Sequence, residues 1–301
     1  MSDFHLDRAR LRRNFGRAAT SYENHDALQR EVQADLLARL DFYDESPDRK
    51  GLLPERILDV GAGTGLGTAR LKARYAKAEV IALDIALPML RAAKRHSGWR
   101  RPFRRVCGEA TALPFPDHSM DIVHSNLCFQ WVDNLEALFA ECCRVLKVGG
   151  FLVFSSFGPD TLKELRAAWA SADEASHVGR FLDMHDVGDA VLNAGLRDPV
   201  LQTNHYTMTY SQPRKLLDEL RGLGATHADM ARPRGLTGKA RYRAMLDAYE
   251  AMRVDGRIPA SWEIVTAHAW GPPPGQSRRI PGGGEVASIS VSSLRGSRRT
   301  R

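Results

Sequence analysis

The chain has 301 residues, of which 43% are hydrophobic and 26% are charged, with a formal net charge of +7. This balance is typical of a globular protein with a sizeable core, and it excludes disordered, collagen-like and disulfide-scaffold chains. The four cysteines show no paired spacing, which predicts reduced thiols and no zinc site. With no long apolar run and no secretory signal at the N-terminus, we expect a soluble, cytoplasmic protein.

The first 50 residues predict a mostly helical segment. It contains FGRAATSY and an amphipathic stretch that ends in ADLLARLDFY. The polar sequence DESPDRKG then links it to the first predicted strand. We therefore treat residues 1–50 as an N-terminal helical segment that precedes the main fold.

Short apolar runs alternate with helical patterns from residue 56 to residue 157. The predicted strands are 56–60, 79–84, 103–108, 121–126 and 150–157. The apolar face of residues 133–146 predicts one of the intervening helices. Continuous apolar runs separated by helices are typical of buried parallel strands, so residues 51–157 predict a doubly wound α/β core.

The pattern is looser after residue 157. The predicted helices are 160–172, 184–194, 212–222 and 238–252, and the predicted strands lie near 200–210 and 262–270. We expect residues 158–260 to form a lid and substrate region with one later strand, and residues 261–270 to form the final strand. Residues 271–301 are rich in Gly, Pro, Ser and Arg, which predicts a basic flexible tail.

The sequence LDVGAGTGLG joins the first strand to a helix. Its glycines Gly61, Gly63 and Gly65 permit a tight turn and let a ligand lie against the backbone. Their spacing does not match GxGxxG, and no GK[ST] follows, so neither a nicotinamide dinucleotide nor a phosphate loop is indicated. Asp59, just before the loop, favours a ligand with an ammonium group. Asp84 ends the second strand, where a carboxylate can bind both hydroxyls of a ribose.

Two further motifs follow in order: Gly108-Glu109-Ala110 after the third strand and RVLKVGGFLVF before the fifth. Together with the loop they resemble the class I S-adenosyl-L-methionine (SAM) methyltransferases, although Val148 stands where proline is commoner. The resemblance implies a Rossmann-like, mostly parallel seven-stranded sheet, with the loop on the methionine part, Asp84 on ribose and Glu109 beside adenine. The predicted cofactor-binding residues are Asp59, Gly61, Gly63, Gly65, Asp84, Ile85, Met89, Glu109, Ala110, Asn126 and Gln130.

Two segments outside the core resemble one particular family of these methyltransferases. FGRAATSYENHDALQREVQADLL and ELRGLGATHADMARPRGLTGKARYRAM resemble the N-terminal segment and the insert of the malonyl-[acyl-carrier protein] O-methyltransferase (BioC) family of biotin synthesis. SNLCFQWVDNLEAL and HVGRFLDMHDV also match, whereas the tail from Gly271 departs from the family. The resemblance implies an N-terminal segment that covers the site, a helical lid, and O-methylation of the malonyl carboxylate to give a methyl ester primer for pimeloyl synthesis.

A malonyl carboxylate is ionised at neutral pH and is already the nucleophile, so no general base is required. The candidate residues for binding it are Tyr22, Arg17, Arg180, Arg221 and His227, with Thr226 as a further donor. For each arginine a surface salt bridge is an equally good explanation, and for His227 a locally hydrogen-bonded loop histidine is the simpler one. No metal site is predicted.

The carrier protein of that family's pathway is acidic, which implies a basic docking surface. Residues 205–243 contain more basic than acidic residues and belong to the predicted lid, so we place the docking site around Arg214, Arg221, Arg234 and Arg241. The basic stretches 91–105 and 278–301 contain few interleaved aromatic residues, so neither nucleic acid nor a membrane is expected as a partner.

Three alternatives remain open. Assembly factors of respiratory complex I share the N-terminal and core motifs, and some are similar to a protein-arginine hydroxylase; Asp3 and Asp7 argue against the mitochondrial presequence that a eukaryotic member needs. A quinone-type small-molecule methyltransferase would need a base, and none stands out. A SAM-binding scaffold would use the basic tail on RNA. The preference for carrier protein or coenzyme A and the oligomeric state also stay open.

Overall fold

The computed structural model describes residues 5–47, 51–100, 102–232, 235, 237–272, 278–280 and 284–286. The α-helices are α1 Arg8–Ala18, α2 Ala27–Arg39, α3 Asp41–Asp44, α4 Leu66–Arg74, α5 Leu87–Ala92, α6 Leu135–Val145, α7 Lys163–Ala170, α8 Met184–Asn193, α9 Pro213–Gly222 and α10 Lys239–Glu250. The strands are β1 Arg56–Val60, β2 Glu79–Asp84, β3 Arg104–Cys107, β4 Met120–Ser125, β5 Leu146–Phe157, β6 Arg197–Tyr210, β7 Ile258–Trp270, β8 Arg278–Ile280 and β9 Gly284–Val286. Among these helices, none is long and apolar enough to cross a membrane.

The main sheet has seven strands in the order β3-β2-β1-β4-β5-β7-β6. The first five strands are parallel, β7 is antiparallel to β5, and β6 is antiparallel to β7. The chain winds outward from β1 to β3 and then returns to place β4 on the other side of β1. The carboxyl ends of β1 and β4 therefore flank the crevice where open α/β sheets bind ligands.

Alternation along the strands separates two apolar clusters on the two faces of the sheet. Ile57 of β1 and Ile122 of β4 pack with Leu36 of α2 and Leu71 of α4 on one face. Leu58 and Val123, the next residues along the same strands, pack on the other face with residues of α6 and α8. Because both faces are covered, the strands are apolar at successive positions, which is the pattern of the sequence.

A third apolar cluster lies beneath the lid. Leu165 of α7, Leu216 of α9 and Met245 of α10 are buried there against Ile258 and Ile264 of β7. The lid helices are thus packed on the antiparallel end of the sheet, beside the crevice at β4.

The predicted mostly parallel seven-stranded sheet with an N-terminal helical segment is confirmed, and β1 and β2 have the predicted bounds. The strand β5 begins at Leu146, earlier than predicted, because Leu146 already pairs with Met120 of β4 where α6 ends. Most of the predicted basic tail lies outside the described residues. Within it, β8 and β9 pair antiparallel, a pairing that the composition did not suggest.

Candidate active site

The glycine loop between β1 and α4 has a backbone that only glycine adopts readily. Gly61 and Gly65 have φ of +72° and +81°. A Cβ at Gly61 would collide with the Cys128 side chain, and one at Gly65 would lie 2.7 Å from the Cβ of Ala93. The Gly61 N–H donates to the Leu83 carbonyl at 2.8 Å, which fastens the loop to the end of β2. The loop is therefore tightly seated between β2 and the segment that follows β4.

Asp84, at the end of β2, is buried behind the loop. Its Oδ2 accepts a hydrogen bond from the Gly63 N–H at 2.9 Å, and its Oδ1 accepts one from the Ala86 N–H at 2.7 Å. Burial raises the pKa of Asp84 to about 6, although these two hydrogen bonds act in the opposite direction. Each carboxylate oxygen keeps further lone pairs, so Asp84 can still accept hydrogen bonds from a ligand in front of the loop.

A central cleft opens in front of the loop. It is bounded by the carboxyl ends of the parallel strands and by α1. The structure brings eight of the predicted cofactor-binding residues to its wall: Gly61, Gly63, Asp84, Ile85, Met89, Glu109, Ala110 and Asn126.

The other three predicted residues do not line the central cleft. Asp59 is buried beneath the loop, where its oxygens accept hydrogen bonds from Thr68 Oγ1 at 2.5 Å and His124 Nδ1 at 2.8 Å. It lines a second pocket, which shares Gly61, Gly63 and Asn126 with the central cleft. Gly65 serves the close packing described above. Gln130 lines two other cavities, and its Nε2 donates to the Leu127 carbonyl at 2.7 Å.

The segment after β4 holds Asn126 in a fixed orientation. Leu127 has φ +48°, a strained value for leucine, and its N–H donates to Ser155 Oγ at 2.9 Å. The same hydroxyl donates to Asn126 Oδ1, while Asn126 Nδ2 donates to the Gln29 carbonyl of α2, both at 2.9 Å. The strained turn thus presents Asn126 and Leu127 to the central cleft.

The N-terminal helix α1 covers the central cleft. Arg8 pairs with Glu109 at 2.9 Å and with Asp133 at 3.4 Å, and Arg12 approaches Glu109 at 3.5 Å. Leu11 and Phe15 of the same helix line the cleft. No sequence pattern indicates Arg8, because its partners lie more than 100 residues away along the chain.

The segment 222–229, which contains GLGATHAD, packs along α1. The Ala228 carbonyl accepts from the Asp7 N–H at 2.8 Å, and Asn14 Nδ2 donates to Thr226 Oγ1 at 2.7 Å. Ser21 Oγ donates to the Gly222 carbonyl at 2.9 Å. The helix α1 and the segment 222–229 therefore form one continuous cover. The bond between Ser21 and Gly222 joins the two sequence segments that carried the narrower resemblance.

Two further cavities lie beneath this cover. The outer cavity is enclosed by α9 and by the segments 177–181 and 225–229. The connecting cavity lies between it and the central cleft and is walled by Tyr22, Gln130 and Trp131. Trp131 lines all three spaces, and its ring packs edge-on against Phe15 with centroids 5.4 Å apart. The indole therefore forms the common wall of the three spaces.

The structure places the candidates for substrate binding in three different positions. Tyr22 lines both the central cleft and the connecting cavity, and burial raises the pKa of its hydroxyl, which stays neutral. Arg180 and Arg221 line the outer cavity with exposed side chains, and Arg221 pairs with Asp218 at 3.0 Å. Arg17 is exposed at the end of α1 and lines none of these three spaces.

His227 also lines the outer cavity, and its ring is not bonded locally. Both ring nitrogens are buried, and neither has a hydrogen-bond partner among the described residues. The simpler explanation of a locally hydrogen-bonded loop histidine is therefore wrong. Burial lowers the pKa of His227, which keeps the imidazole neutral.

Comparisons with known proteins agree with this geometry. The family model described as "Methyltransferase domain" matches residues 58–154. A malonyl-[acyl-carrier protein] O-methyltransferase of Gallionella capsiferriformans is 44% identical over 92% of this chain and 96% of its own length. The protein of the same name in Halorhodospira halophila is 44% identical over 98% of this chain and 97% of its own length. A solved structure of a putative methyltransferase from Bacillus halodurans covers 79% of this chain and 99% of its own with a TM-score of 0.55 at 20% identity, which supports the fold.

Proposed function

Because the chain belongs to the malonyl-[acyl-carrier protein] O-methyltransferase family, we propose that it transfers the methyl group of SAM to the free carboxylate of a malonyl group on acyl carrier protein. The observation that carries this proposal is the extent of the similarity. It covers 92% of the chain in one relative and 98% in another, far beyond the methyltransferase domain at residues 58–154. The similarity therefore also includes the cover and the lid, which enclose the outer cavity.

The central cleft suits SAM in shape and in hydrogen-bonding groups. Gly61 and Gly63 leave the front of the loop free of side chains, with φ of +72° and +55°. The Asp84 oxygens have lone pairs left for the ribose hydroxyls, and Met89 and Leu11 add apolar surface. When bound, SAM supplies an electrophilic methyl group on its sulfonium.

The chain's own residues have to align the substrate and exclude water. An ionised carboxylate needs no base, so the contribution of the protein is to place one carboxylate oxygen in line with the methyl group. Tyr22 and Trp131 line both the central cleft and the connecting cavity, which supports the meeting point of the two substrates there. The pair Arg8–Glu109 holds α1 over the cleft, which shields this point from solvent.

We place the docking surface for the carrier protein on the lid helices beside the outer cavity. Six basic side chains on these helices are exposed: Arg214, Lys215, Arg221, Lys239, Arg241 and Arg243. Arg221 also lines the outer cavity, which puts the basic surface at its mouth. Arg241 is partly neutralised by Asp173 at 3.4 Å, and Arg234 lies outside the described residues. A surface of this sign steers an acidic carrier protein toward the cavity.

The reaction is tested by incubating the protein with SAM and malonyl-carrier protein and measuring the intact mass of the carrier. We expect the mass to rise by the replacement of one hydrogen with one methyl group, and we expect no change with acetyl-carrier protein. The variant Gly61→Val, whose side chain would collide with Cys128, should lose SAM binding and activity together. Failure of wild-type protein that binds SAM to modify malonyl-carrier protein would refute the proposal.

Docking is tested with the double charge reversal Arg214→Glu and Arg221→Glu. We expect kcat/KM for malonyl-carrier protein to fall at least tenfold at low salt, with a smaller fall at high salt because the attraction is screened. The control is Arg100→Glu, an exposed arginine beside Trp99 at the opposite edge of the sheet. Equal effects of the two reversals would place the docking surface elsewhere.

A further inference from the structure

His227 is a half-buried residue in the wall of the outer cavity, and both of its ring nitrogens are buried. Buried polar atoms almost always have partners, because leaving one unpaired costs its desolvation free energy. Neither ring nitrogen of His227 has one within the described part of the chain. A neutral imidazole offers one N–H donor and one acceptor. The ring lines the outer cavity and carries a donor and an acceptor that the described residues do not use.

The backbone around His227 is held firmly by the N-terminal segment. Arg10 Nε donates to the His227 carbonyl at 3.2 Å, and the neighbouring residues Thr226 and Ala228 are bonded to Asn14 and Asp7. This anchoring fixes the position from which the ring faces the cavity, so the unpaired nitrogens do not follow from a loose loop.

The charged groups around the ring are mixed. Asp229 favours the protonated imidazole, whereas His177, Arg232 and Arg10 oppose it, and burial opposes it most. His177 is itself engaged, since its Nε2 lies 2.8 Å from an oxygen of Asp173 and its ring stacks on Trp169. Of the two histidines that line the outer cavity, His227 is the one whose two ring nitrogens are both buried without a partner among the described residues.

A neutral donor suits methyl transfer to a carboxylate better than an arginine does. The carboxylate loses its negative charge as the new C–O bond forms, so a cation beside it stabilises the ground state more than the transition state. A neutral N–H binds the carboxylate and remains a good partner for the ester carbonyl of the product. Arg180 and Arg221 also have exposed side chains, which suits them to the carrier protein surface.

We propose that His227 is the residue that recognises the free carboxylate of the malonyl group, as a neutral hydrogen-bond donor to the carboxylate oxygen that does not attack. This inference rests on the proposed function. Gln130 and Trp131 join the outer cavity to the connecting cavity, so a carboxylate held from the His227 side can direct its other oxygen toward the central cleft. His227 is thus a specificity-determining residue for malonyl over uncharged acyl groups.

The test is a comparison of binding affinities in the presence of S-adenosylhomocysteine, so that no reaction occurs. Dissociation constants for malonyl- and acetyl-carrier protein are measured with wild-type protein, His227→Ala and His227→Asn. We expect wild-type protein to prefer the malonyl form, and His227→Ala to lose about 10- to 100-fold of malonyl affinity while acetyl affinity is unchanged. His227→Asn keeps a neutral N–H donor and should retain part of the preference.

Two controls separate this role from other causes. The affinity for S-adenosylhomocysteine should be the same in all three proteins, because His227 does not line the central cleft; this also shows that the variants are folded. Arg221→Gln should weaken both carrier forms by the same factor. The inference would be overturned if His227→Ala still preferred malonyl- over acetyl-carrier protein, or if it lost the same factor of affinity for both. The proposed function fails separately, if wild-type protein transfers no methyl group to malonyl-carrier protein.

Discussion

The backbone of Gly224 lies directly against the backbone of Asn14: a Cβ at position 224 would stand 2.8 Å from the Asn14 carbonyl oxygen. Gly224 also has φ +73°, a conformation that residues with side chains rarely adopt. Two independent constraints therefore require glycine at this position. The contact joins α1, which covers the central cleft, to the segment 222–229, which walls the outer cavity.

Replacing Gly224 by alanine should loosen this cover. We expect Gly224→Ala to lower the free energy of unfolding by about 3 kcal/mol, because strain at positive φ adds to a backbone collision. The KM for the carrier substrate should also rise, since α1 and the cavity wall have to separate. Gly195→Ala is the matched control, since Gly195 has φ +86° but nothing within 4 Å of its Cβ position. Urea unfolding should show that Gly195→Ala lowers the free energy of unfolding by only about 1 kcal/mol. Equal losses in the two variants would show that the contact with Asn14 does not contribute to stability.

The sequence predicted the parts of the fold that depend on local pattern. Strands β1 and β2 coincide with continuous apolar runs in the sequence. Both faces of the sheet are covered, so successive residues of these strands are buried and apolar. The glycine loop was recognisable because its residue type follows from its backbone conformation. Asp84 could be placed because the end of a parallel strand is a fixed point in this architecture.

The sequence did not predict the contacts between distant segments. Glu109 was expected beside the cofactor, but its pairing with Arg8 depends on how α1 crosses the finished sheet. Gln130 lies in the short 3-10 helix Phe129–Trp131, where three successive side chains point in different directions. No periodic pattern exists in such a short element, so only the tertiary structure shows that Trp131 lines the central cleft and Gln130 the other cavities.

The wholly buried His124 links three elements that surround the glycine loop. Its Nδ1 lies 2.8 Å from Asp59 Oδ1, and its Nε2 lies 3.1 Å from Gln33 Nε2 of α2. We expect His124→Leu to lower the free energy of unfolding by about 3 kcal/mol, because Asp59 is left as a buried carboxylate with Thr68 as its remaining side-chain donor. Urea unfolding followed by circular dichroism measures this loss.

The matched control for His124→Leu is Gln33→Leu, because Gln33 contacts the other ring nitrogen of His124. Gln33→Leu removes the contact between Gln33 and His124 and leaves Asp59 with its histidine. Its expected cost is therefore about 1 kcal/mol. Equal losses of unfolding free energy in the two variants would contradict this prediction. They would show that His124 stabilises the protein by holding α2 in place and not by hydrogen bonding to the Asp59 carboxylate.

The raised pKa of Asp84, about 6, predicts opposite effects of pH on stability and on cofactor binding. Between the ordinary value of 3.8 and about 6, the folded protein holds a proton that the unfolded chain has released. The stability of the free protein should therefore fall as pH rises through this window. Binding of SAM should instead strengthen, because the ionised carboxylate is the better acceptor for ribose hydroxyls. Well below pH 6 the affinity should change by up to about tenfold per pH unit.

Isothermal titration calorimetry with S-adenosylhomocysteine from pH 5 to pH 8 measures the binding side of this prediction, and thermal unfolding of the free protein measures the stability side. Asp84→Asn is nearly isosteric but does not titrate. It should flatten both profiles between pH 5 and pH 7 while binding the ligand more weakly at pH 8. An Asp84→Asn protein that keeps the wild-type pH dependence of binding would assign the titration to another group and would leave Asp84 without the role in ribose binding.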